Sequence, residues 1–264
     1  MRILNFLFSR SKQEQDKPIR DKLKTRKDFE RVLAEDLDIM ETTKARMDTA
    51  KNINLYMYRS LSYSYILILQ SKYSVDAKID ELRDIYIKSM YYFLQAFNKR
   101  NPIYADILNY VSLGVLLNIP DAYFRQLIDY VKQMDKQAKP SGWTPDLLLW
   151  FMLNSRMKEQ EKQKYAETLS YPRLYNGLYK VIQAPNAAAA KDALSKYLDR
   201  WYNLNSNAPW YNSHLKDNSY RGYWAWEVAA VAKIMHIDDS DLKNNQYYPY
   251  DMVHWADNET TAKE

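Results

Sequence analysis

Residues 28–51 read DFERVLAEDLDIMETTKARMDTAK, and the spacing of their apolar side chains decides the fold class. Phe29, Val32, Leu33, Leu37, Met40 and Met47 recur at steps of three and four, as one face of an α-helix requires. Downstream, residues 52–72 are apolar on most sides (Leu55, Tyr56, Met57, Leu61, Tyr65, Ile66, Ile68, Leu69), which predicts a central helix. Residues 76–99 repeat the amphipathic pattern through Ile79, Leu82, Ile85, Met90, Phe93 and Phe97. Further helices are expected between Pro102 and Pro120 and over 121–137, where Phe124, Leu127, Ile128 and Val131 form a stripe. Beyond residue 140, Thr144-Pro145-Asp146 suggests an N-cap with proline in the first helical position, followed by the apolar run 147–153. Shorter helices are expected at 171–182 and 187–202, and a strong one at 222–236. Strand-like alternation is confined to short stretches. The expectation is an all-α protein, a bundle-like array of ten or so helices in two packed halves with little or no sheet.

Composition excludes much chemistry. The 264 residues contain four glycines and no cysteine, where an average chain carries roughly 7% glycine. Gly114, Gly142, Gly177 and Gly222 stand singly, so neither a P-loop nor a dinucleotide-binding fingerprint can be written. Without cysteine there is no thiol catalysis, disulfide or thiolate metal site. Three histidines leave little for imidazole chemistry, and no G-x-S-x-G elbow is present. No cofactor is expected.

Charge and aromatics are unevenly placed. Residues 1–138 hold 23 basic and 18 acidic side chains, whereas residues 139–264 hold 15 of each and all seven tryptophans. The polar stretch Lys136-Gln137-Ala138-Lys139-Pro140-Ser141-Gly142 lies between them and has linker character. We therefore expect a tail at 1–20, a helical domain at 21–138, a second at 139–256 and a tail at 257–264. The apolar part of Met1–Arg10 is only about six residues, short of a signal-peptide core. The longest apolar runs elsewhere break before the roughly 18 residues of a membrane span. A cytoplasmic protein that does not engage membranes is expected.

The segment richest in clues is YRGYWAWEVAAVAKIMHIDDS, residues 220–240. Read as one helix, it aligns Trp224, Glu227, Val228 and Val231 on one stripe and turns the carboxylate of Glu227 inward. A buried carboxylate needs a partner, for which Arg221 or a tyrosine hydroxyl is the nearest choice. Glu227 then reads either as a tuned acid or base, or as a polar anchor that fixes helix register. His214, His236, His254 and the Asp238/Asp239/Asp241 cluster follow no zinc-helix spacing, so no metal site is expected. The pI near 9.0 raises nucleic acid as a partner, but the basic stretch 20–31 is interleaved with Asp21, Asp28 and Glu30. Such a pattern suits a solvated helix better than a stripe that follows phosphates. The 24 tyrosines fit either a helical core or a protein interface.

Three blocks taken together resemble one family. Gly222-Tyr223-Trp224-Ala225-Trp226-Glu227-Val228-Ala229-Ala230-Val231, then Ile237-Asp238-Asp239-Ser240, then Tyr247-Tyr248-Pro249-Tyr250-Asp251-Met252-Val253 are similar to the C-terminal signature of PoNi, bacterial immunity proteins against polymorphic nuclease toxins. The Tyr91–Phe97 and Leu108–Leu117 stretches resemble the first domain of that family. The resemblance implies a non-enzymatic cytoplasmic protein that binds a cognate toxin, typically a DNase of the restriction-endonuclease-like superfamily, and blocks its active site without binding nucleic acid itself. Within Gly222, Tyr223, Trp224, Trp226 and Glu227 it implies a structural role.

A toxin that binds DNA suggests an acidic docking face. Residues 214–264 carry nine acidic and five basic side chains against a net +5 for the chain. Asp238, Asp239, Asp241 and Asp251 are one candidate set; Glu35, Asp36, Asp38 and Glu41 on the first long helix are another. Two other functions stay open at this point: a helical nucleic-acid-binding or regulatory protein, and a hydrolase built on Glu227 and the C-terminal histidines.

Overall fold

The computed structural model describes residues 18–97, 103–136 and 143–255. The stretches 1–17, 98–102, 137–142 and 256–264 lie outside the described residues, and with them most of the expected N-terminal tail, nearly all of the linker and the expected C-terminal tail. Ten α-helices and three short 3-10 turns occur among the described residues, and the one bridge, between Asp146 and Thr168, is isolated. The protein is all-α. None of the described helices is long and apolar enough to cross a membrane.

By packing, the chain divides into two units: Met1–Asn98 with Asn212–Tyr223, and Lys99–Tyr211 with Trp224–Glu264. This partition differs from halves drawn around residue 140. Both flanks of that stretch lie in the second unit, where Asp135 accepts the indole N–H groups of Trp143 at 2.8 Å and Trp150 at 2.7 Å, together with the Tyr165 hydroxyl at 2.9 Å.

In the first unit, α1 (Arg26–Thr49) begins on a capping box. Asp28 donates its backbone N–H to the Thr25 hydroxyl, and the Thr25 N–H donates back to the Asp28 carboxylate. The Thr25 hydroxyl, which donates to the Asp28 carboxylate at 2.7 Å, and the Thr25 N–H hold that carboxyl below its usual range. α2 (Leu55–Ser74) starts at Asn54, whose side chain accepts the Met57 N–H at 3.0 Å, and α3 (Ile79–Phe97) follows. α2 packs against both α1 and α3, which is why its sequence is apolar on so many sides. Leu33 and Met40 of α1 meet Leu61, Tyr65 and Ile68 of α2 in one cluster. The segment Asn212–Tyr223 is held to these helices by buried polar contacts. The Tyr220 hydroxyl donates to Asp21, and Ser74 Oγ donates to the Arg221 carbonyl at 3.0 Å. Gly222 sits at φ 105°, a conformation that side chains other than glycine strongly resist.

The second unit holds α4 (Tyr104–Leu116), α5 (Asp121–Lys136), α6 (Leu147–Asn154), α7 (Pro172–Ile182), α8 (Ala187–Leu204), α9 (Trp226–Met235) and α10 (Tyr250–His254). The small side chains of Ala229, Ala230 and Ala232, with Val228 and Val231, are fully buried and let α9 pack closely on α4. Two expected helix starts move. The cap of α6 is Asp146 itself, accepting the Leu149 N–H at 2.9 Å, so Thr144 is not the N-cap. α9 begins at Trp226 rather than Gly222, because residues 221–225 are non-helical and Ala225 donates its N–H to the Tyr247 carbonyl. Trp224 therefore precedes the helix instead of lying on its stripe.

Candidate functional site

Asp36 lies on the buried stripe of α1 with Phe29, Val32, Leu33 and Met40. At 2% exposure it accepts Nε of Arg221 at 2.6 Å and Nη2 at 2.9 Å, a two-pronged pair. Burial raises the Asp36 carboxyl, and the guanidinium opposes that rise. Arg221 is thus committed to Asp36 and is not the partner expected for Glu227. Asp36 is also withdrawn from the acidic docking set, since it does not face solvent.

Its neighbours on α1 behave differently. Asp38 and Glu41 are exposed and Glu35 is half-buried, and among the described residues none of the three forms an ion pair. Ile39, 50% exposed, stands among them. The middle of α1 thus presents three carboxylates, with Ile39 one turn on from Glu35.

The C-terminal set divides as well. Asp239 is 2% exposed and accepts the Tyr248 hydroxyl and His254 Nε2, each at 2.7 Å, so it is a buried anchor rather than a surface contact. Asp238 and Asp241 are exposed, but both bind the ammonium of Lys191, at 2.8 Å each. Lys191 together with the Ser240 hydroxyl and N–H holds the Asp238 carboxyl well below its usual range. Two negative charges on one cation leave a weaker local field than three unpaired carboxylates. Asp251 is exposed at the start of α10.

The signature residues are internal. The Tyr223 hydroxyl accepts the His214 N–H at 3.0 Å and lies 3.2 Å from Ser213 Oγ. Trp224 and Trp226 are buried, with ring centroids 6.1 Å apart. Glu227 is half-buried as a residue and encloses its carboxyl, which accepts the Trp201 indole N–H at 2.6 Å. Burial pushes that carboxyl up to about 7 while the indole bond pulls it down. No group of three or more metal-ligating side chains gathers there or elsewhere among the described residues.

Sequence reasoning missed Asp21, Asp135 and Lys191. Only Asp36 carried a signal, its place on the stripe of positions 29, 32, 33 and 40. Lys191 pairs with Asp238 and Asp241 across about fifty residues of chain, and no local pattern announces that.

Residues 11–129 match the family model described as PoNe immunity protein (PoNi), N-terminal, and residues 144–252 match PoNe immunity proteins (PoNi), C-terminal. No curated protein matches the chain. The crystal structure of protein PA2201 from Pseudomonas aeruginosa aligns over 93% of each chain with a TM-score of 0.70 at 18% identity, a likeness of fold.

Proposed function

The chain belongs to the PoNe immunity protein (PoNi) family, and from that membership we propose that it binds a cognate DNase toxin and neutralises it by covering its active site. The observation that carries this reading is the match of both family domains, N-terminal and C-terminal, in order along one chain. In that role the protein is a stoichiometric inhibitor rather than an enzyme. It acts in the cytoplasm, where an incoming nuclease would meet DNA, and it has no need of a cofactor, of nucleic acid or of a membrane.

The geometry favours one docking face over the other. A cleft that grips DNA is lined with Lys and Arg to meet phosphates, so its inhibitor profits from unneutralised negative charge. Glu35, Asp38 and Glu41 supply it on α1, and Ile39 adds apolar area at its edge. Asp238 and Asp241 share the one ammonium of Lys191, which offsets half of their charge, and Asp251 stands as a lesser, rim contact. We therefore place the principal docking surface on the middle of α1.

Co-expression with a cognate PoNe toxin, and association kinetics of the purified pair, test both parts. The wild-type chain should rescue growth, and Glu35→Lys/Asp38→Lys/Glu41→Lys should slow association by at least tenfold at low salt. Asp238→Lys/Asp241→Lys should cost less. No rescue and no complex with wild type would sink the immunity reading. Rescue with an indifferent α1 variant would sink only the choice of face.

A further inference from the structure

The carboxylates of α1 border a seam of tyrosines. α1 and α3 both pack on α2, and Leu37 of α1 with Ile85 and Tyr92 of α3 close over the α2 residues Leu61, Tyr65 and Ile68. Tyr92 stacks on Tyr65 with centroids 5.8 Å and planes 9° apart, lies 6.3 Å from Tyr58, and meets Tyr91 edge-on at 5.2 Å. Tyr65 is buried, but Tyr58 and Tyr92 are half-buried and Tyr91 is 54% exposed. The Lys44 ammonium lies 5.6 Å from the centroid of Tyr65.

Charge follows the same edge. Residues three and four apart are neighbours on a helix, so Glu41 stands one turn beyond Leu37 and one turn before Lys44, with Asp48 one turn further. Burial and Tyr65 push the Tyr92 hydroxyl above its usual range, while Lys44 pulls it down and Asp48 pushes it up. Both α1 residues therefore flank that α3 ring. Glu41 and Asp48 are exposed and form no ion pair among the described residues. From α3 the exposed Asp84 and Lys88 offset each other. The most exposed rings of α2, Tyr56 and Tyr63, belong elsewhere: at 3.6 residues per turn, Tyr63 stands about 200° round the helix from Tyr65.

We propose that this seam extends the toxin-docking surface and receives an arginine of the toxin, Tyr58, Tyr91 and Tyr92 offering ring faces and Glu41 and Asp48 the carboxylates. The proposal rests on the reading of the chain as a nuclease inhibitor. A guanidinium stacks on aromatic faces while its N–H fork pairs with a carboxylate, and rings beside unpaired carboxylates supply both at once. A cleft that grips phosphates is rich in such side chains. Glu41 belongs to the acidic face and to the seam alike, so one partner covers both. Lys44 leaves the place open, because it lies against the buried Tyr65 and not against Tyr91.

Hydroxyl-radical footprinting of the full-length protein, free and bound to a cognate PoNe toxin, tests this. Labelling of Tyr58 and Tyr91 should fall in the complex, while Tyr56 and Tyr63 label as before. Tyr91→Ala should weaken the complex by about tenfold, and Tyr56→Ala/Tyr63→Ala by no more than about twofold. Tyr91→Phe should bind as wild type, whereas Tyr91→Leu, which keeps the bulk without the ring face, should lose as much as Tyr91→Ala. The proposal is overturned if Tyr58 and Tyr91 stay as reactive in the complex as in the free protein, or if Tyr91→Leu binds as tightly as wild type. Protection of the same rings in the free protein at rising concentration would assign the seam to a second copy and overturn it too. The absence of any complex with wild type would overturn the inhibitor reading itself, and the proposal with it. Should a variant not fold, the wild-type footprint decides alone.

Discussion

At the scale of single residues, Arg221 shows how a charged side chain can belong to the interior. Its guanidinium grips Asp36, and its carbonyl takes the Ser74 hydroxyl, so one residue ties Asn212–Tyr223 to two helices. Arg221→Met removes the cation and leaves a carboxylate at 2% exposure. Breaking a buried pair in this way costs about 3–5 kcal/mol. Urea unfolding at neutral pH should show that loss. It should shrink as pH falls, because the stranded Asp36 then takes a proton and ceases to be a buried charge. The burial of Asp36 was readable in its position, seven residues after Phe29 and four before Met40. Its partner was not, since Arg221 lies 185 residues away and no local pattern links the two.

At the scale of elements, the helices were legible because apolar spacing at three and four residues survives in every long one. Their ends were less so. α1 begins before Asp28 because the Thr25–Asp28 box captures the free N–H groups, and α9 begins late because Gly222 turns the chain at positive φ. Helix packing supplies a further test. Gly177 lies where α7 meets α8, and a Cβ there would fall 2.6 Å from Cδ2 of Tyr197. That ring has little room to yield, being buried with its hydroxyl bonded to the Leu174 carbonyl at 3.0 Å. Gly177→Ala should therefore lower stability by about 1–3 kcal/mol through overpacking, despite the better helix propensity of alanine. Thermal unfolding of the variant, with Gly177→Ala/Tyr197→Leu expected to recover part of the loss, checks the cause.

For the whole molecule, the contribution of the structure is to sort the acidic residues. Composition showed a chain of net charge +5 with an acidic C-terminal end, which drew attention to Asp238, Asp239 and Asp241. Folding buries one of them and pairs the other two with Lys191, whereas Glu35, Asp38 and Glu41 form no ion pair among the described residues. Formal charge counted along a sequence cannot anticipate this, because it ignores which charges meet. The family assignment rests on matches to both domains, and the proposed action on a nuclease follows from it. The most direct measurement is a titration of purified cognate PoNe toxin with this protein while DNA cleavage is followed. The account predicts activity falling linearly to zero at one equivalent of inhibitor, with a stable complex on gel filtration. Undiminished cleavage at several equivalents, with no complex formed, would contradict it.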